Sequence, residues 1–338
     1  MSPRESAPAR RRRRFRKRCA AGTALLCTAA FMWINNTDLL ADHSVEEHGV
    51  LAHRGLGQTF GHEGVGNDTC TAERIDEPEH DFLENTVPGM RAAFDAGADQ
   101  VEFDVHMTAD EEFAVFHDWE LDCRTDLSGT TRDHTLAELQ QADIGYGYTA
   151  DGGETHPFRG AGKGLMPSLD EVLAEFPDDD LLLHVKSDDP AEGELLAGRL
   201  AELPDERLAD LTVYGGDGPI AALRERLPEL RVMSKAMMTD CLVAYEAVGW
   251  TGHVPPSCSR MQLHVPEGYG PWLWGWPARF TQCMAAADTR VVIVAGSGGF
   301  SEGFDDIGSL ERIPDGFTGL VWTNRADETA AAIHGPNG

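Results

Sequence analysis

"VEFDVHMTADEEFAVFHD", Val101 to Asp118, is the stretch on which the reading of this chain turns. Successive residues of a strand point to opposite faces. Val101, Phe103 and Val105 therefore share one face, and Glu102, Asp104 and His106 share the other. The turn "TAD" leads into a second extended run, "EEFAVFHD", which ends on His117 and Asp118. Two carboxylates side by side on one face repel each other unless a cation lies between them. Two explanations compete: the solvated polar face of an edge strand, or a cation site.

Outward from this stretch, short apolar runs alternate with helical patterns. "GVLAH" reads as a buried strand ending at His53. In "ENTVPGMRAAFDAGA", Val87, Met90 and Phe94 fall on one helix face and Gly97 stops the helix. In "PSLDEVLAEFP", Leu169, Val172, Leu173 and Phe176 follow helical spacing. "LLLHVK", "LTVYG", "RVMS", "MQLHV", "RVVIVAG" and "GLVWTN" read as strands, and "PAEGELLAGRLAEL", "PIAALRERLPEL" and "RFTQCMAAA" as helices. Repeated strand–helix alternation implies a parallel sheet. No glycine-rich dinucleotide fingerprint follows the first strand. The expectation is an α/β fold, a (β/α)8 TIM barrel with long loop insertions at the C-terminal face. Such barrels carry their chemistry at the C-terminal strand ends. His53, Glu102, Asp104, His184, Lys186 and Trp322 all fall at or near such ends. Residues 56–83 and 122–167 form two long polar interruptions, and loops of that length usually serve a lid, a site or an insertion.

The chain of 338 residues has a net charge of −29, and nine of its 28 basic residues fall within residues 1–18. "RRRRFRKR" precedes the apolar run Cys19 to Ile34. Residues 1–42 are thus expected to be a basic N-terminus with an apolar signal or anchor segment and linker, and residues 43–338 the barrel domain. A basic region before a short apolar run reads as an export signal or membrane anchor. This places the protein outside the cytoplasm, secreted or anchored through residues 19–34. The acidic body excludes nucleic acid as a partner, since that needs basic surface. Nothing in the sequence fixes an oligomeric state. In an exported chain, Cys70 and Cys123 are expected to bridge the two long loops, and Cys241 to pair with Cys258 or Cys283.

The motifs "AHRG" (residues 52–55), "ENT" (84–86), "VEFDVHMTAD", "FHD", "MPSLDEVL" (166–173), a strand ending in Lys186 and "VWTN" (321–324) resemble, in order, the glycerophosphodiester phosphodiesterases of the PLC-like phosphodiesterase barrel superfamily. The resemblance covers about residues 49–330. It implies a phosphoric diester hydrolase that cuts small-molecule glycerophosphodiesters to glycerol 3-phosphate and an alcohol. It also implies a divalent metal ion as cofactor, Mg2+ or Ca2+ first, with Mn2+ or Zn2+ also admissible. Carried over by position, Glu102 and Asp104 are metal ligands, His53 and His117 the acid–base pair, and Arg54 and Lys186 phosphate contacts. His184 stands where the family commonly has a third metal-binding glutamate, and an imidazole shifts preference away from hard calcium. Glu84 and Trp322 are expected as supporting residues. Glu84 either orients Arg54 or a ligand, or is a carboxylate at a helix N-terminus.

The physical case runs beside the resemblance. Charge builds on the phosphoryl oxygens as a nucleophile adds, and a divalent cation and a guanidinium stabilise it. One group must deprotonate the nucleophile and another protonate the leaving alkoxide; histidines suit this near neutral pH. Trp272, Trp274 and Trp276 either line an alcohol pocket or headgroup surface, or pack a helix start against the barrel. "GSGG" (296–299) is a phosphate-binding turn or a plain loop. Competing functions are a lysophospholipase D or sphingomyelinase D-like lipid phosphodiesterase, and an inactive barrel used as a binding module.

Overall fold

The computed structural model describes residues 7–41, 48–61, 63–66, 69–296 and 302–335. Nine strands form one sheet: β1 (Gly49–Ala52), β2 (Gln100–Met107), β3 (Phe113–Val115), β4 (Leu181–Val185), β5 (Leu211–Gly215), β6 (Arg231–Ser234), β7 (Gln262–Pro266), β8 (Arg290–Val294) and β9 (Leu320–Thr323). Eight of them run parallel in the order β6-β5-β4-β2-β1-β9-β8-β7. A parallel bridge from Val232 to Met261 brings the two ends together, so the barrel is nearly closed. β3 is the exception. It pairs antiparallel with β2, as a hairpin standing off the barrel at its C-terminal rim.

Alternation explains β2. Val101, Phe103 and Val105 are fully buried in the layer between sheet and helices. Glu102 and Asp104 are also buried, at 0% and 1% exposure, which excludes a solvated edge. Their face is the barrel interior, where Leu51, Leu182, Val292 and Trp322 form the apolar filling beneath them. Fully burying a side chain such as Phe103 is worth about 1.5–3 kcal/mol. The helices Val87–Asp95, Leu169–Glu175, Pro190–Leu200, Asp217–Arg226 and Ala278–Ala285 form where periodicity predicted them. The helices Lys235–Val248 and Ala326–His334 were not read from the sequence.

The two long interruptions form one cap over the barrel mouth. Leu83, Leu121, Leu139, Ile144, Tyr148 and Phe158 share a small apolar core. Cys70 and Cys123 are disulfide-bonded and staple the two segments together. The buried Asp143 carboxylate accepts from the backbone N–H groups of Gly145, Gly160 and Gly162, which fixes the far loop of the cap. Cys241 pairs with Cys258, while Cys283 is free and buried.

The basic and apolar N-terminal runs form one helix, Ala7–Asn35. Its end rests on Trp250: Phe31 meets that ring edge-on at 6.5 Å, and Asn36 Nδ2 donates to the Trp250 carbonyl at 3.1 Å. Trp250 follows the helix Lys235–Val248, which runs back from β6, so this contact lies at the foot of the barrel, opposite the mouth. Among the described residues no helix is long and apolar enough to cross a membrane. Residues 42–47 and 297–301 lie outside the described residues, and with them part of the linker and most of "GSGG".

Candidate active site

The turn after β1 is shaped by close backbone contact. Gly55 has φ +73°, and a Cβ there would lie 2.8 Å from the Met90 nitrogen. Only glycine lets this turn approach the start of the helix Val87–Asp95. Arg54 and Asn85 both adopt left-handed backbone (φ 59° and 56°), and Asn85 N–H donates to the Arg54 carbonyl. Such conformations are uncommon outside glycine and often mark functional positions.

This turn brings His53 and Arg54 onto the carboxylates of β2. Arg54 N–H donates to Glu102 Oε2 at 3.0 Å. The Arg54 guanidinium reaches Glu84 Oε1 at 3.0 Å and Asp104 Oδ2 at 3.3 Å. Register puts His184 of β4 directly beside Asp104. His184 Nδ1 donates to Asp104 Oδ1 at 2.8 Å, and its ring stacks on Tyr214 with centroids 4.1 Å apart. Lys186 Nζ lies 3.4 Å from Asp104 Oδ1. Tyr214 O–H donates to Glu102 Oε1 at 2.7 Å, and Asn85 Nδ2 to Asp104 Oδ2 at 3.0 Å.

Glu102, Asp104 and His184 each offer a ligand atom, all within 4.8 Å of one another. Burial, then the neighbouring Asp104, pushes the Glu102 carboxyl up to about 8. Burial would also raise Asp104, but Lys186, His117 and Arg54 hold it well below the usual range. One buried carboxylate is thus charged while its neighbour keeps its proton. A divalent cation reverses this by stabilising both anions. The O, O, N donor set fits such an ion, provided His184 turns its proton to Nε2 and offers Nδ1.

The two imidazoles of the expected pair are held alike. Asn324 Nδ2 donates to Asp305 Oδ2, so its Oδ1 is left as acceptor for His53 Nδ1, at 2.6 Å. His53 Nε2 then carries the lone pair, and Arg54 Nε donates to it at 3.1 Å. His117 leaves the β3 hairpin rather than a barrel strand, and its Nδ1 donates to Asp118 Oδ1 at 2.6 Å. Burial lowers the proton affinity of both rings, and Arg54 adds to it. Charge on His117 lowers the proton affinity of His53 further. Trp322 packs against His53 with centroids 4.7 Å apart. A cavity of about 230 Å³ opens beside His53 and Arg54, lined also by Phe60, Asp76 and Asp305. Glu102, Asp104 and His184 do not line it; Arg54 lies between.

All nine residues singled out from the sequence meet at this mouth. Glu84 precedes the helix cap Thr86 and pairs with both Arg54 and Arg124, so it is not a helix-terminus carboxylate. His106 donates from Nε2 to the His117 carbonyl and braces the hairpin. Trp274 and Trp276 pack partly buried on the barrel, whereas Trp272 is 80% exposed. Sequence reading gave no role at the site to Asn85, Asn324, Tyr214, Arg124 or Asp118. For Asn324 a signal existed, since alternation places it on the same face as Trp322.

Residues 53–197 match the sequence profile of the Glycerophosphoryl diester phosphodiesterase family. The match spans 145 of the 338 residues. The family segment thus holds His53, Arg54, Glu84, the β2 carboxylates, His117, His184 and Lys186. A glycerophosphodiester phosphodiesterase of Caldanaerobacter subterraneus subsp. tengcongensis is 34% identical over 103 residues, 30% of this chain and 39% of that protein. The chain spans little more than a third of the length of the curated relatives it matches. Solved structures extend the likeness of fold. The glycerophosphoryl diester phosphodiesterase domain of Rv2277c from Mycobacterium tuberculosis matches with a TM-score of 0.59 at 17% identity, over 84% of this chain and 98% of that one. A phosphodiesterase of Oleispira antarctica, solved with sn-glycerol-3-phosphate, matches with a TM-score of 0.52 at 17% identity, over 85% and 97%.

Proposed function

We propose that the chain is a metal-dependent phosphodiesterase that hydrolyses glycerophosphodiesters to glycerol 3-phosphate and an alcohol. One observation carries the reading. Two imidazoles with their Nδ1 atoms tethered flank a buried pair of carboxylates beside an arginine and a lysine. The family match over residues 53–197 and the product bound by the Oleispira antarctica phosphodiesterase support it. Residues 43–338 make up the catalytic unit. The basic segment with residues 19–34 directs export or attachment, in keeping with two disulfides, which form in oxidising compartments.

Glu102, Asp104 and His184 would hold the divalent ion, which supplies charge stabilisation at the phosphoryl oxygens when bound. Arg54 and Lys186 bind the remaining phosphate oxygens. The partners of the two imidazoles assign their roles. His53 leans on a neutral amide, so its Nε2 starts unprotonated and takes the proton of the attacking hydroxyl. That hydroxyl is water, or the neighbouring hydroxyl of the glycerol, in which case a cyclic phosphate forms and water then opens it to glycerol 3-phosphate. His117 leans on a carboxylate that stabilises imidazolium, so it gives a proton to the leaving alkoxide oxygen. As the new P–O bond forms, the old one breaks and the alcohol departs neutral. Trp322 and Asn324 hold His53 in place, and Glu84 holds Arg54.

The test is a product assay on the metal-stripped chain with glycerophosphocholine and Mg2+, Ca2+, Mn2+ or Zn2+ added back. Glycerol 3-phosphate should appear only with metal. Its release should fall by roughly 10²–10⁴-fold in His53→Ala, the usual worth of a general acid or base. Turnover that survives a chelator sinks the metal assignment. The exposed Trp272 and Tyr269 after β7 favour a second reading, cleavage of lysophospholipids. That reading requires faster choline release from lysophosphatidylcholine than from glycerophosphocholine.

A further inference from the structure

Arg124 stands outside the machinery assigned above, yet both of its halves depend on it. The residue is 2% exposed, and every edge of its guanidinium is engaged. Nε donates to Asp118 Oδ2 at 2.7 Å, the carboxylate that holds His117 Nδ1. Nη1 lies 3.3 Å from Glu84 Oε2, the carboxylate that holds Arg54. On the far side Nη1 donates to Tyr148 O–H and Nη2 to Thr71 Oγ1, both at 2.6 Å. Thr71 and Arg124 each adjoin one half-cystine of the Cys70–Cys123 bridge. The disulfide thus fixes donor and acceptor at one stroke.

We propose that Arg124 is the positioning residue of this site, setting His117 through Asp118 and Arg54 through Glu84 from a seat fixed by the Cys70–Cys123 disulfide. The chemistry requires an arginine. Two carboxylates on different segments must be held apart and ionised, and only a planar fork with several donors reaches both. The cap therefore acts on the reaction without touching substrate. A displacement of about 1 Å at an acid–base group costs on the order of 10²-fold in rate, so the brace has a kinetic consequence. The proposal rests on the phosphodiesterase reading for its kinetic arm alone.

The experiment uses the full chain. In Arg124→Gln, glycerophosphocholine turnover should fall by about 10²-fold, with KM raised as Arg54 loosens. Asp118→Asn with Arg124→Gln should lose less than the product of the two single losses, because Arg124 reaches His117 through Asp118; losses that multiply overturn the proposal. Should Arg124→Gln fail to fold, Thr71→Val and Thr125→Val decide. Both remove a buried hydroxyl near the bridge, but only Thr71 bonds Arg124. Turnover should drop several-fold in Thr71→Val and stay level in Thr125→Val; equal effects overturn the proposal. A ring-nitrogen NMR spectrum of His117 reads the brace independently of turnover. Whether or not Nε2 is also protonated, the wild type should keep a proton on Nδ1, held by Asp118, and Thr71→Val or Arg124→Gln should leave Nδ1 partly deprotonated. An unchanged spectrum in these variants overturns the brace. Absence of wild-type turnover with every metal defeats the phosphodiesterase reading, while the NMR result still decides for or against Arg124.

Discussion

The barrel and its cap are stabilised by different means. The barrel rests on a large continuous apolar layer, with Phe103, Val105, Leu183 and Val213 all fully buried. The cap has a small core and relies on a disulfide, the ringed Asp143 and the Arg124 network. Apolar packing is non-directional and tolerates drift, whereas hydrogen-bonded charges fix angles. The barrel therefore supplies the address of the catalytic groups, and the cap supplies their orientation.

The largest effect should come from breaking the barrel. Phe103→Ala should cost about 3–5 kcal/mol, read from urea unfolding, because it empties the main core. Phe158→Ala, in the cap, should cost less stability yet lose more turnover per kcal/mol; a reversed ranking would merge the two regions. Next come the disulfides. Removing Cys70–Cys123 or Cys241–Cys258 by paired alanines should cost about 2–4 kcal/mol each. Only the first should also slow glycerol 3-phosphate release.

A smaller effect is pH-dependent. Burial lowers His106 to about 4 and His264 to about 3, from 6.5. Between those values and 6.5 the unfolded chain holds more protons, so stability falls as pH falls through that window. Glu102 acts oppositely. Raised from 4.5 to about 8 by burial and Asp104, its contribution is present at low pH and is lost as pH rises toward 8. The metal-free chain should therefore be most stable at about pH 6.5, and the metal-loaded chain at higher pH, by urea midpoints. Identical optima with and without metal would remove Glu102 from the ligand set. The smallest effect belongs to Trp272→Ala. At 80% exposure it should move stability by no more than about 0.5 kcal/mol.

The same division decided what could be read from sequence. Most strands and helices of the barrel announce themselves by period, though Lys235–Val248 and Ala326–His334 did not, and the alternation of β2 exposed Glu102 and Asp104 as neighbours. His53 and Lys186 were marked by their places at strand ends, and the roles expected of them and of Arg54 came from the family resemblance. The cap has no period. Its order comes from contacts between residues far apart in the chain, such as Thr71 with Arg124 and Asp143 with Gly162. Asp118 and Arg124 therefore passed unnoticed. Tyr214 was legible as strand but not as site, because its role depends on which strand lies next to β4.

The helix Ala7–Asn35 joins at the foot, beside Trp250, while substrates enter at the rim. Were that helix the tether proposed above, the mouth would face away from the supporting surface, and dissolved diesters would reach it more readily than molecules lodged in that surface.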